Sequence, residues 1–545
     1  MKISGGKALV KSLIQHDVKH IFCVPGESYL GALDGLFEQK GTIDVLNARH
    51  EAGAANMAES YGKLTGKPGI AFVTRGPGAC HASVGVHISF QDSTPMILFV
   101  GNISRGVKDR EAFQEIDFRA FFKPISKWVA EINDPKRIPE YINRAFNTAT
   151  EGRSGPVVLI VPEDMLTETT EIKPRSFSPI FKNKFPEEGL KKIKEELNFA
   201  KKPLLILGGP NWSDKSCQNI QNFATNNYLP VTTSFRRQDL FNHKNENFVG
   251  SFGTSISPKL VSRVRESDLI LVIGSRLGEM TTQNYSIINP ESKTKKIIHI
   301  HPDPNQLNSV FNPDLCFSSS SNDFSESVAD IKWFENPIWK IWRNRLRNEF
   351  KEDIKPVEGI KKNNLGKIFS FVEKHLPEDV IVTLDAGNNA AWPQRFLNYG
   401  RPGRQIASTC GSMGYGIPAA VSSSILFPKR KVICCVGDGG FMMSGHEIST
   451  GIQYGASPII LLINNNSYGT IRMHQERDYP GREIATELKN PDFIQLSKSL
   501  GAKAIRVESV EEFSKVFPKF LASNKLTVIE IPISIKQLSH RVSLT

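Results

Sequence analysis

The chain has 545 residues, of which 39% are hydrophobic and 23% charged, with 41 glycines and 32 prolines. This composition excludes a fibrous or disordered chain and indicates an α/β protein of several domains, because the length exceeds the usual size of one hydrophobic core. The formal net charge is +12, but lysine and arginine are spread along the whole sequence, so no nucleic-acid partner is predicted.

The cysteine count and the hydropathy pattern bear on the compartment. The seven cysteines are an odd number and include no Cys-x-x-Cys pair, which indicates a reducing environment. The first ten residues contain no uninterrupted apolar segment of the signal-peptide type, and no run of about 18 apolar residues follows. We therefore expect a cytoplasmic protein with no membrane association.

Short apolar runs that end in glycine, proline or asparagine alternate with amphipathic stretches of helix length. This alternation is typical of βα units and predicts parallel sheets. In chain order the predicted strands include Ile70–Thr74, Met96–Val100, Val157–Val161, Leu204–Leu207, Leu269–Ile273, Ile381–Leu384, Val432–Val436 and Ile459–Ile463.

Two polar stretches rich in lysine, glutamate and proline interrupt this alternation. They are Thr167–Lys202 and Asn336–Asn364, which we predict to be linkers. The resulting domains are residues 1–166, 187–335 and 364–545. Each is predicted to be a doubly wound parallel sheet, so the fold class is α/β with three such domains.

Glu51 is the polar residue that stands out in the N-terminal domain. It follows the apolar run Ile43–Leu46 and begins a predicted helix, where the helix dipole alone would favour a carboxylate. That helix is rich in small residues, which we expect to permit close packing against another subunit. They are Ala52, Gly53, Ala54, Ala55 and Ala58.

The C-terminal domain contains the most specific motif. Gly437-Asp438-Gly439-Gly440 directly follows the predicted strand Lys431–Val436 and precedes a helix predicted from Phe441. Asn465 stands 27 residues after Asp438, at the end of the next strand. This spacing fits one right-handed βαβ crossover, which brings both side chains to the same carboxyl edge of a parallel sheet.

The residue types at this edge suit a metal and a diphosphate. Mg²⁺ prefers hard oxygen ligands, which Asp438, Asn465 and a nearby carbonyl can supply together with phosphate and water. The glycines allow the backbone to approach a diphosphate, and the N–H groups at the start of the next helix can bind it. An ordinary strand–turn–helix with an Asx turn would explain Gly-Asp-Gly alone, but not the asparagine run at this offset.

These motifs resemble those of thiamine diphosphate-dependent enzymes, and in particular the large catalytic subunit of acetolactate synthase. The resemblance covers nearly the whole chain. Besides the Gly-Asp-Gly and Asn-Asn pattern, the segments that carry it are Val24-Pro25-Gly26, Arg49-His50-Glu51-Ala52, Thr74-Arg75-Gly76-Pro77-Gly78, Phe113-Gln114-Glu115 and Cys410-Gly411-Ser412-Met413-Gly414-Tyr415-Gly416.

The resemblance implies a pyrimidine-binding domain, a central domain and a diphosphate-binding domain. It implies thiamine diphosphate and Mg²⁺ as cofactors, and small 2-oxo acids as substrates. Family members hold the two ends of one cofactor with domains from two subunits. A homodimer or homotetramer with active sites at the subunit interface is therefore expected.

The resemblance also implies roles for individual residues. The Glu51 carboxylate would bind the aminopyrimidine ring of the cofactor and favour the tautomer that activates the thiazolium carbon. Gly411 would contact the same ring and Met413 would support the bent cofactor, although a core methionine is the alternative reading of Met413. Mg²⁺ would bind Asp438, Asn465 and the carbonyl of Ser467. The other predicted cofactor-binding residues are Asn388, Asn389, Gly437, Gly439 and Gly440.

The implied reaction is decarboxylation of a 2-oxo acid, with pyruvate favoured, followed by transfer of the enamine to a second carbonyl, as in branched-chain amino acid biosynthesis. Gln114 and Glu27 are the other candidate catalytic residues. Phe113-Gln114 resembles the synthases and favours ligation, whereas Glu27 is a potential proton donor if the apolar surroundings of Phe22 and Val24 keep it protonated. A decarboxylase that releases aldehyde therefore remains the alternative.

Three departures from the synthase pattern leave the substrate open. Glu27 replaces a glycine, and His474 falls where synthases carry a tryptophan in the acceptor pocket. In the central domain, Gly208-Gly209-Pro210 and Gly274-Ser275-Arg276-Leu277 keep a nucleotide-like βα framework. The Arg-Phe-Asp-Asp stretch associated with FAD in synthases is absent, so FAD is not predicted.

Overall fold

The computed structural model describes residues 2–172, 184–356 and 363–541. Parts of both predicted linkers, residues 173–183 and 357–362, and residues 542–545 of the third predicted domain lie outside the described residues. The described chain contains three six-stranded parallel sheets interspersed with helices, together with one antiparallel two-stranded pair. The predicted α/β fold with three parallel sheets is confirmed.

The first sheet has the strand order β3-β2-β4-β5-β7-β6, and β1 pairs with β8 beside it. Its strands are β1 (Lys2–Ser4), β2 (His20–Cys23), β3 (Asp44–Asn47), β4 (Gly69–Val73), β5 (Met96–Asn102), β6 (Trp128–Glu131), β7 (Pro156–Pro162) and β8 (Thr169–Glu171). Its helices are α1 (Gly5–Gln15), α2 (Leu30–Phe37), α3 (Glu51–Thr65), α4 (Pro77–Asp92), α5 (Phe118–Phe122), α6 (Ile138–Thr150) and α7 (Glu163–Thr167).

The second sheet has the order β11-β10-β9-β12-β13-β14. Its strands are β9 (Pro203–Leu207), β10 (Val231–Thr233), β11 (Phe248–Ser251), β12 (Leu269–Ile273), β13 (Lys296–His301) and β14 (Leu315–Ser318). The accompanying helices are α8 (Glu187–Phe199), α9 (Asp214–Asn226), α10 (Pro258–Glu266), α11 (Glu279–Thr282), α12 (Ser321–Val328) and α13 (Lys340–Asp353).

The third sheet has the order β16-β15-β17-β18-β20-β19. Its strands are β15 (Ile381–Leu384), β16 (Arg404–Ala407), β17 (Val432–Gly437), β18 (Ile459–Asn464), β19 (Lys503–Arg506) and β20 (Thr527–Pro532). Its helices are α14 (Leu365–His375), α15 (Ala391–Phe396), α16 (Gly416–Leu426), α17 (Asp438–Ser444), α18 (Glu447–Gln453), α19 (Gly469–Asp478), α20 (Phe493–Ser499) and α21 (Val510–Leu521).

All three sheets change the direction of their strand order at one internal position. In each sheet the chain adds strands first towards one edge and then towards the other. The change of direction lies between β2 and β4, between β9 and β12, and between β15 and β17. Ligands of open α/β sheets bind in the crevice at the carboxyl ends of such a strand pair. The fold therefore provides three equivalent candidate crevices, and the side chains around each one decide its use.

The strands predicted from apolar runs are confirmed, because each predicted run coincides with a buried strand to within one or two residues.

Two helices, however, lie within the stretches predicted as linkers. In α8 the buried residues Gly189, Ile193 and Leu197 recur every four positions, and α13 buries Trp342 and Leu346 in the same way. Each helix buries only a narrow row of apolar residues between charged neighbours. The overall composition therefore suggested a linker, although the apolar residues repeat with helical spacing.

The N-terminal and C-terminal domains share one hydrophobic cluster. Small residues of α3, among them Ala54 and Ala55, are buried in it together with Ala419 and Ala420 of α16. The hydroxyl groups of Ser60 and Ser422 form a hydrogen bond across the same contact. The small residues of α3 thus pack within their own chain, where the sequence analysis expected contact with another subunit.

Candidate active site

A cavity of about 200 Å³ lies at the carboxyl ends of β15, β17 and β18. It is lined by every residue that the sequence analysis assigned to the diphosphate, the metal or the support of the cofactor. The lining includes Asn388, Asn389, Gly411, Met413, Gly437, Asp438, Gly439, Gly440, Asn465 and Ser467. The sequence-predicted residues of the C-terminal domain therefore meet in one place.

The oxygen atoms of Asp438 and Asn465 converge on a single backbone donor. The N–H of Ser467 donates to Asp438 Oδ2 at 3.2 Å and to Asn465 Oδ1 at 3.0 Å. This convergence depends on the parallel pairing of β17 with β18, which aligns Gly437 with Ile463. Two hard oxygen ligands thus lie side by side at the cavity wall, as a divalent cation requires.

Asn490 is a member of this group that the sequence analysis did not identify. Its Nδ2 donates to Asp438 Oδ2 at 2.8 Å and to Asn464 Oδ1 at 3.2 Å. Asn464 in turn donates to Glu530 Oε1 at 2.8 Å. Because Oδ2 of Asp438 is held by two donors, the carboxylate orientation is fixed before any ligand arrives.

The Asp438 side chain is almost fully buried, with 3% of its surface exposed. Burial raises the pKa of this carboxyl, and the hydrogen bonds from Asn490 and from backbone N–H groups offset only part of the effect. A cation at the cavity would stabilise the ionised form. A positively charged ligand at this position would therefore be electrostatically favourable.

Asp385 holds the loop that carries Gly411 and Met413 against the cavity. Its carboxylate accepts hydrogen bonds from the N–H groups of Ala386 at 2.8 Å, Gly414 at 3.1 Å and Gly416 at 2.8 Å. Burial raises its pKa, while these three donors act in the opposite direction. No local pattern marks this role of Asp385, because the loop that it holds lies about thirty residues further along the chain.

The glycines of the motif are required by close packing. The helix α17 begins at Asp438 rather than at Phe441, so Gly439 and Gly440 lie in its first turn. A Cβ atom at Gly439 would lie 2.6 Å from the Tyr468 ring, and one at Gly440 would lie 2.6 Å from Asp385 Oδ1. Any larger residue would displace the groups that shape the cavity.

The two asparagines after β15 make different contacts. In the amide orientation that its neighbours favour, Asn389 donates to the Ala386 carbonyl and accepts from the Gly437 N–H. The backbone N–H of Asn388 donates to the Thr470 hydroxyl at 3.0 Å. Both residues connect the ends of neighbouring elements, so their contribution includes the shape of the cavity wall.

A second cluster surrounds Glu51 at the start of α3. Glu51 Oε2 and His81 Nδ1 lie 2.9 Å apart in a hydrogen bond. The rings of His50 and His81 stack with centroids 4.4 Å apart. The three side chains offer ligand atoms within 4.8 Å of one another, so the Glu51 carboxylate lies beside two imidazoles and is hydrogen-bonded to that of His81.

The start of α3 is attached to the C-terminal domain by Glu447. Its buried carboxylate accepts hydrogen bonds from the backbone N–H groups of Arg49 and His50, each at 3.1 Å. A Cβ atom at Gly53 would lie 2.1 Å from Glu447 Oε1, which explains the glycine in this helix. Glu447 therefore fixes the position of Glu51 relative to the third sheet.

Gln114 and Glu27 lie near Arg75, at the rim of the first sheet's crevice. The Cα of Gln114 is close to Gly76, and its backbone has a left-handed φ of 65°. The Glu27 side chain is 82% exposed, and its Oε2 lies 3.8 Å from Arg75 Nη2. The apolar surroundings on which a protonated Glu27 depended are therefore not found; its neighbour is a cation.

The predicted site residues thus form two groups in one chain. Glu51, Gln114 and Glu27 are not among the described residues that line the diphosphate cavity. Three apolar side chains at or beside that cavity are about half exposed: Met442, Met443 and Ile471. His474, which takes the place of the synthase tryptophan, is exposed on α19.

A larger crevice of about 550 Å³ adjoins the diphosphate cavity. The two spaces share Gly387, Asn388, Gly411 and Thr470 in their walls. Arginine side chains from the central domain, Arg236, Arg237 and Arg276, also line the crevice. Asp92 and Glu279 line it as well, so the cations exceed the anions by one and would favour an anionic ligand.

Two findings of a different kind concern the whole chain. All seven cysteines are free thiols. Within the described ranges, no helix combines the length and the apolar character that a membrane span needs.

Comparison with protein families gives matches over all three domains. Residues 3–121 match the N-terminal TPP binding domain of thiamine pyrophosphate enzymes. Residues 190–327 match the central domain of these enzymes, and residues 385–531 match their C-terminal TPP binding domain. Each match falls on one of the three sheets, although β6, β7 and β15 lie outside the matched residues.

Curated relatives cover nearly the full length. The acetolactate synthase large subunit of Buchnera aphidicola from Schizaphis graminum is 30% identical over 97% of this chain and 95% of its own. The corresponding subunit of Haemophilus influenzae is 29% identical over 98% and 95%. The mitochondrial acetolactate synthase of Schizosaccharomyces pombe is 27% identical over 98% and 84%. These matches confirm the predicted resemblance, and the chain belongs to the family of thiamine pyrophosphate enzymes.

Proposed function

We propose that this protein is a thiamine diphosphate- and Mg²⁺-dependent carboligase that decarboxylates pyruvate and joins the remaining two-carbon unit to a second 2-oxo acid. The observation that carries the proposal is the single cavity lined by ten residues of the predicted cofactor and metal set. Relatives named acetolactate synthase, similar over nearly the whole chain, support the same activity.

The donor set at the cavity fits Mg²⁺. Asp438 and Asn465 offer oxygen ligands beside each other, and the backbone carbonyl of Ser467 is the third proposed ligand. The described residues that line the cavity include no cysteine or histidine, which softer metals prefer. Phosphate oxygens and water would complete the coordination.

The residues around the metal bind and orient the diphosphate end of the cofactor. Gly437, Gly439 and Gly440 leave the backbone accessible, and Met413 Cε lies close to Gly439, where it can support the bound molecule. When bound, thiamine diphosphate supplies an acidic thiazolium carbon and an electron sink for the loss of CO₂. The protein contributes the position, the metal and the exclusion of water.

Glu51 would hold and return a proton at the aminopyrimidine ring. A carboxylate can do so because it both accepts a hydrogen bond and takes up the proton that the ring nitrogen releases. The hydrogen bond from His81 occupies Oε2 only, so Oε1 can face the cofactor. His81 is half exposed and connects the pair to solvent.

We propose that the active unit is a homodimer, or a homotetramer built from such dimers. Glu51 does not line the diphosphate cavity of its own chain, and Met442, Met443 and Ile471 are exposed apolar side chains at or beside that cavity. A second copy that covers them would bring its own Glu51 to the cavity. Each subunit would then contribute one half to each of two sites.

Carboligation is favoured over aldehyde release. Release requires a proton donor close to the reacting carbon, and the carboxylate of the candidate Glu27 faces Arg75, 3.8 Å away. Phe113, 72% exposed at the same rim, is placed to limit the access of water once a partner subunit covers it. FAD is not part of the proposal, and visible absorbance of the purified protein would detect a bound flavin.

The experiment that tests the proposal is product analysis. The purified protein, supplied with thiamine diphosphate and Mg²⁺, is incubated with ¹³C-labelled pyruvate and followed by NMR. Acetolactate as the main product is expected. Acetaldehyde as the main product would overturn the ligase assignment, and no consumption of pyruvate would overturn the donor substrate.

A further inference from the structure

A second cavity, distinct from the active site, lies where the three domains meet. Its volume is about 380 Å³, within the range of ~300–1,000 Å³ that is typical of small-molecule sites. We call it the junction cavity. Its walls include residues 62–66 from the end of α3, residues 210–214 at the start of α9, and the segment 401–404 before and at the start of β16.

Four guanidinium groups line the junction cavity: Arg237, Arg401, Arg404 and Arg430. Arg401 and Arg404 share the buried carboxylate of Asp239, at 3.5 Å and 3.1 Å from its Oδ2. Arg401 also pairs with Asp214, which is largely in solvent. Arg430 donates to the backbone carbonyls of Asp379 and Pro402. Positive charge in this region therefore exceeds negative charge.

Arg237 has no side-chain hydrogen bond or ion pair with any described residue, and its Nε is shielded from solvent. The Nε of Arg401 is buried without a partner as well. Asp239 is the main anion that attracts Arg237, and it is shared with Arg401 and Arg404, so one buried carboxylate faces three cations. Burial lowers the pKa of Arg404 to about 10, and repulsion by Arg401 acts in the same direction.

The geometry points to a binding site for a small phosphate-bearing anion in the junction cavity. Arginine forks bind phosphate through paired, charge-assisted hydrogen bonds, and a diphosphate group carries enough charge to balance this cluster. Such a ligand would contact all three domains at once. It would hold them in a fixed arrangement and stabilise the folded protein by binding only to it.

The test uses the holoenzyme, saturated with thiamine diphosphate and Mg²⁺ so that the active-site cavity is occupied. Inorganic pyrophosphate and ADP are titrated separately by calorimetry, and thermal unfolding is followed in parallel. If the natural ligand is a free diphosphate, pyrophosphate should bind more tightly than ADP. If the natural ligand is a nucleotide, ADP should bind more tightly. Binding of neither probe would overturn the proposal.

Variants locate the bound probe. Arg430→Gln should weaken binding by about tenfold, the scale of one charged hydrogen bond, and Arg430→Lys should retain more of it. Arg237→Gln should weaken binding too, but Arg237 also lines the crevice, so the location rests on Arg430. Arg276→Gln is the matched control, because Arg276 lines only the adjoining crevice. Loss of binding in Arg276→Gln with full binding in Arg430→Gln would place the anion in the crevice and overturn the assignment.

Retention of the fold is checked on the same samples. Arg430 lies outside the active-site cavity, so Arg430→Gln should still convert pyruvate as the parent does. Binding to the junction cavity is measured independently of the reaction product. Failure of this inference would therefore leave the proposed carboligase activity untouched, and failure of the activity would leave the anion site testable.

Discussion

The first and third sheets share one topology but carry different halves of a catalytic apparatus. Around the third sheet's crevice, Asp385, Asp438 and Asn465 are joined by hydrogen bonds to backbone groups that lie in the same chain. Around the first sheet's crevice, the Glu51 side chain is hydrogen-bonded to the partly exposed His81 and lies outside the diphosphate cavity. The difference teaches that the chain assembles the diphosphate side by itself, and the proposed dimer would supply the surface that completes the other side.

The largest expected effect is at the incomplete region. Glu51→Gln should lower kcat by about 100- to 10,000-fold, because an amide keeps a hydrogen bond but cannot exchange the proton. Cofactor affinity should change little, since the diphosphate cavity is unaltered. Steady-state kinetics and exchange of the thiazolium proton by NMR measure both quantities. A variant that exchanged this proton at the parental rate would reduce Glu51 to a residue favoured by the helix dipole.

Mixing two inactive variants tests whether the halves come from different subunits. Glu51→Gln and Asp438→Asn are unfolded together, refolded and assayed. Statistical pairing gives half heterodimers with one intact site of two, so about a quarter of the parental activity should return. Refolding each variant alone is the control. Activity that stays absent in the mixture, with dimers formed, would place both halves of a site in one chain.

At the complete region, Asn490→Ala should weaken Mg²⁺ binding by about 10- to 100-fold, the usual effect of losing a group that orients a metal ligand. Asn490 donates to Asp438 Oδ2, so its loss frees the carboxylate to rotate. Calorimetric titration of thiamine diphosphate at several Mg²⁺ concentrations measures the change. Lys489→Ala, an exposed neighbour, is the control and should bind as the parent does.

If the metal assignment is right, excess chelator should remove thiamine diphosphate binding altogether in the parent protein. Affinity that is unchanged in chelator would mean that the diphosphate does not depend on a cation shared by Asp438 and Asn465. In that case the titration of the Asn490→Ala variant would no longer report on Mg²⁺ binding. The two measurements are therefore made on one preparation.

The same contrast explains what the sequence could predict. Continuous apolar runs predict eight strands, and one crossover length predicts the Asp438 and Asn465 pair. The eight strands are β4, β5, β7, β9, β12, β15, β17 and β18. In both cases the residues that form the pattern lie within about thirty positions of one another in the sequence. Asn490 joins the metal group from 52 residues beyond Asp438, and Glu447 reaches Arg49 across almost four hundred residues. No local pattern marks such partners, because only the packed domains bring them together.

A smaller effect is expected on stability. Burial raises the pKa of Asp438, so the folded protein without metal disfavours the ionised carboxylate. This free-energy penalty is absent below the pKa that Asp438 has in the unfolded chain. It grows as the pH rises towards the raised pKa of the folded protein and is complete above that pKa. Near neutral pH, Asp438→Asn should therefore stabilise the metal-free protein by about 1 kcal/mol.

Thermal unfolding with and without Mg²⁺ measures this effect. The parent should gain stability from Mg²⁺, because the cation binds only the folded state, and Asp438→Asn should not respond. At a pH below the unfolded value, the two metal-free proteins should unfold together. A variant that is less stable than the parent at neutral pH would show that hydrogen bonding of the carboxylate outweighs its burial.

The smallest effect should come from the contact that most distinguishes the Glu51 region, its hydrogen bond with His81. The His81 side chain is 49% exposed, so solvent screens the pair and its worth is at most about 1 kcal/mol. His81→Asn should therefore lower kcat by about two- to fivefold, because Asn can still donate to Oε2 but cannot carry a proton to solvent. His87→Asn, an exposed position on the same helix, is the matched control.

If His81→Asn matched the loss in Glu51→Gln, the imidazole would be an essential proton carrier rather than a modest support. If it changed nothing even in the pH dependence of kcat, the partner subunit would have displaced His81 from Glu51 in the assembled enzyme.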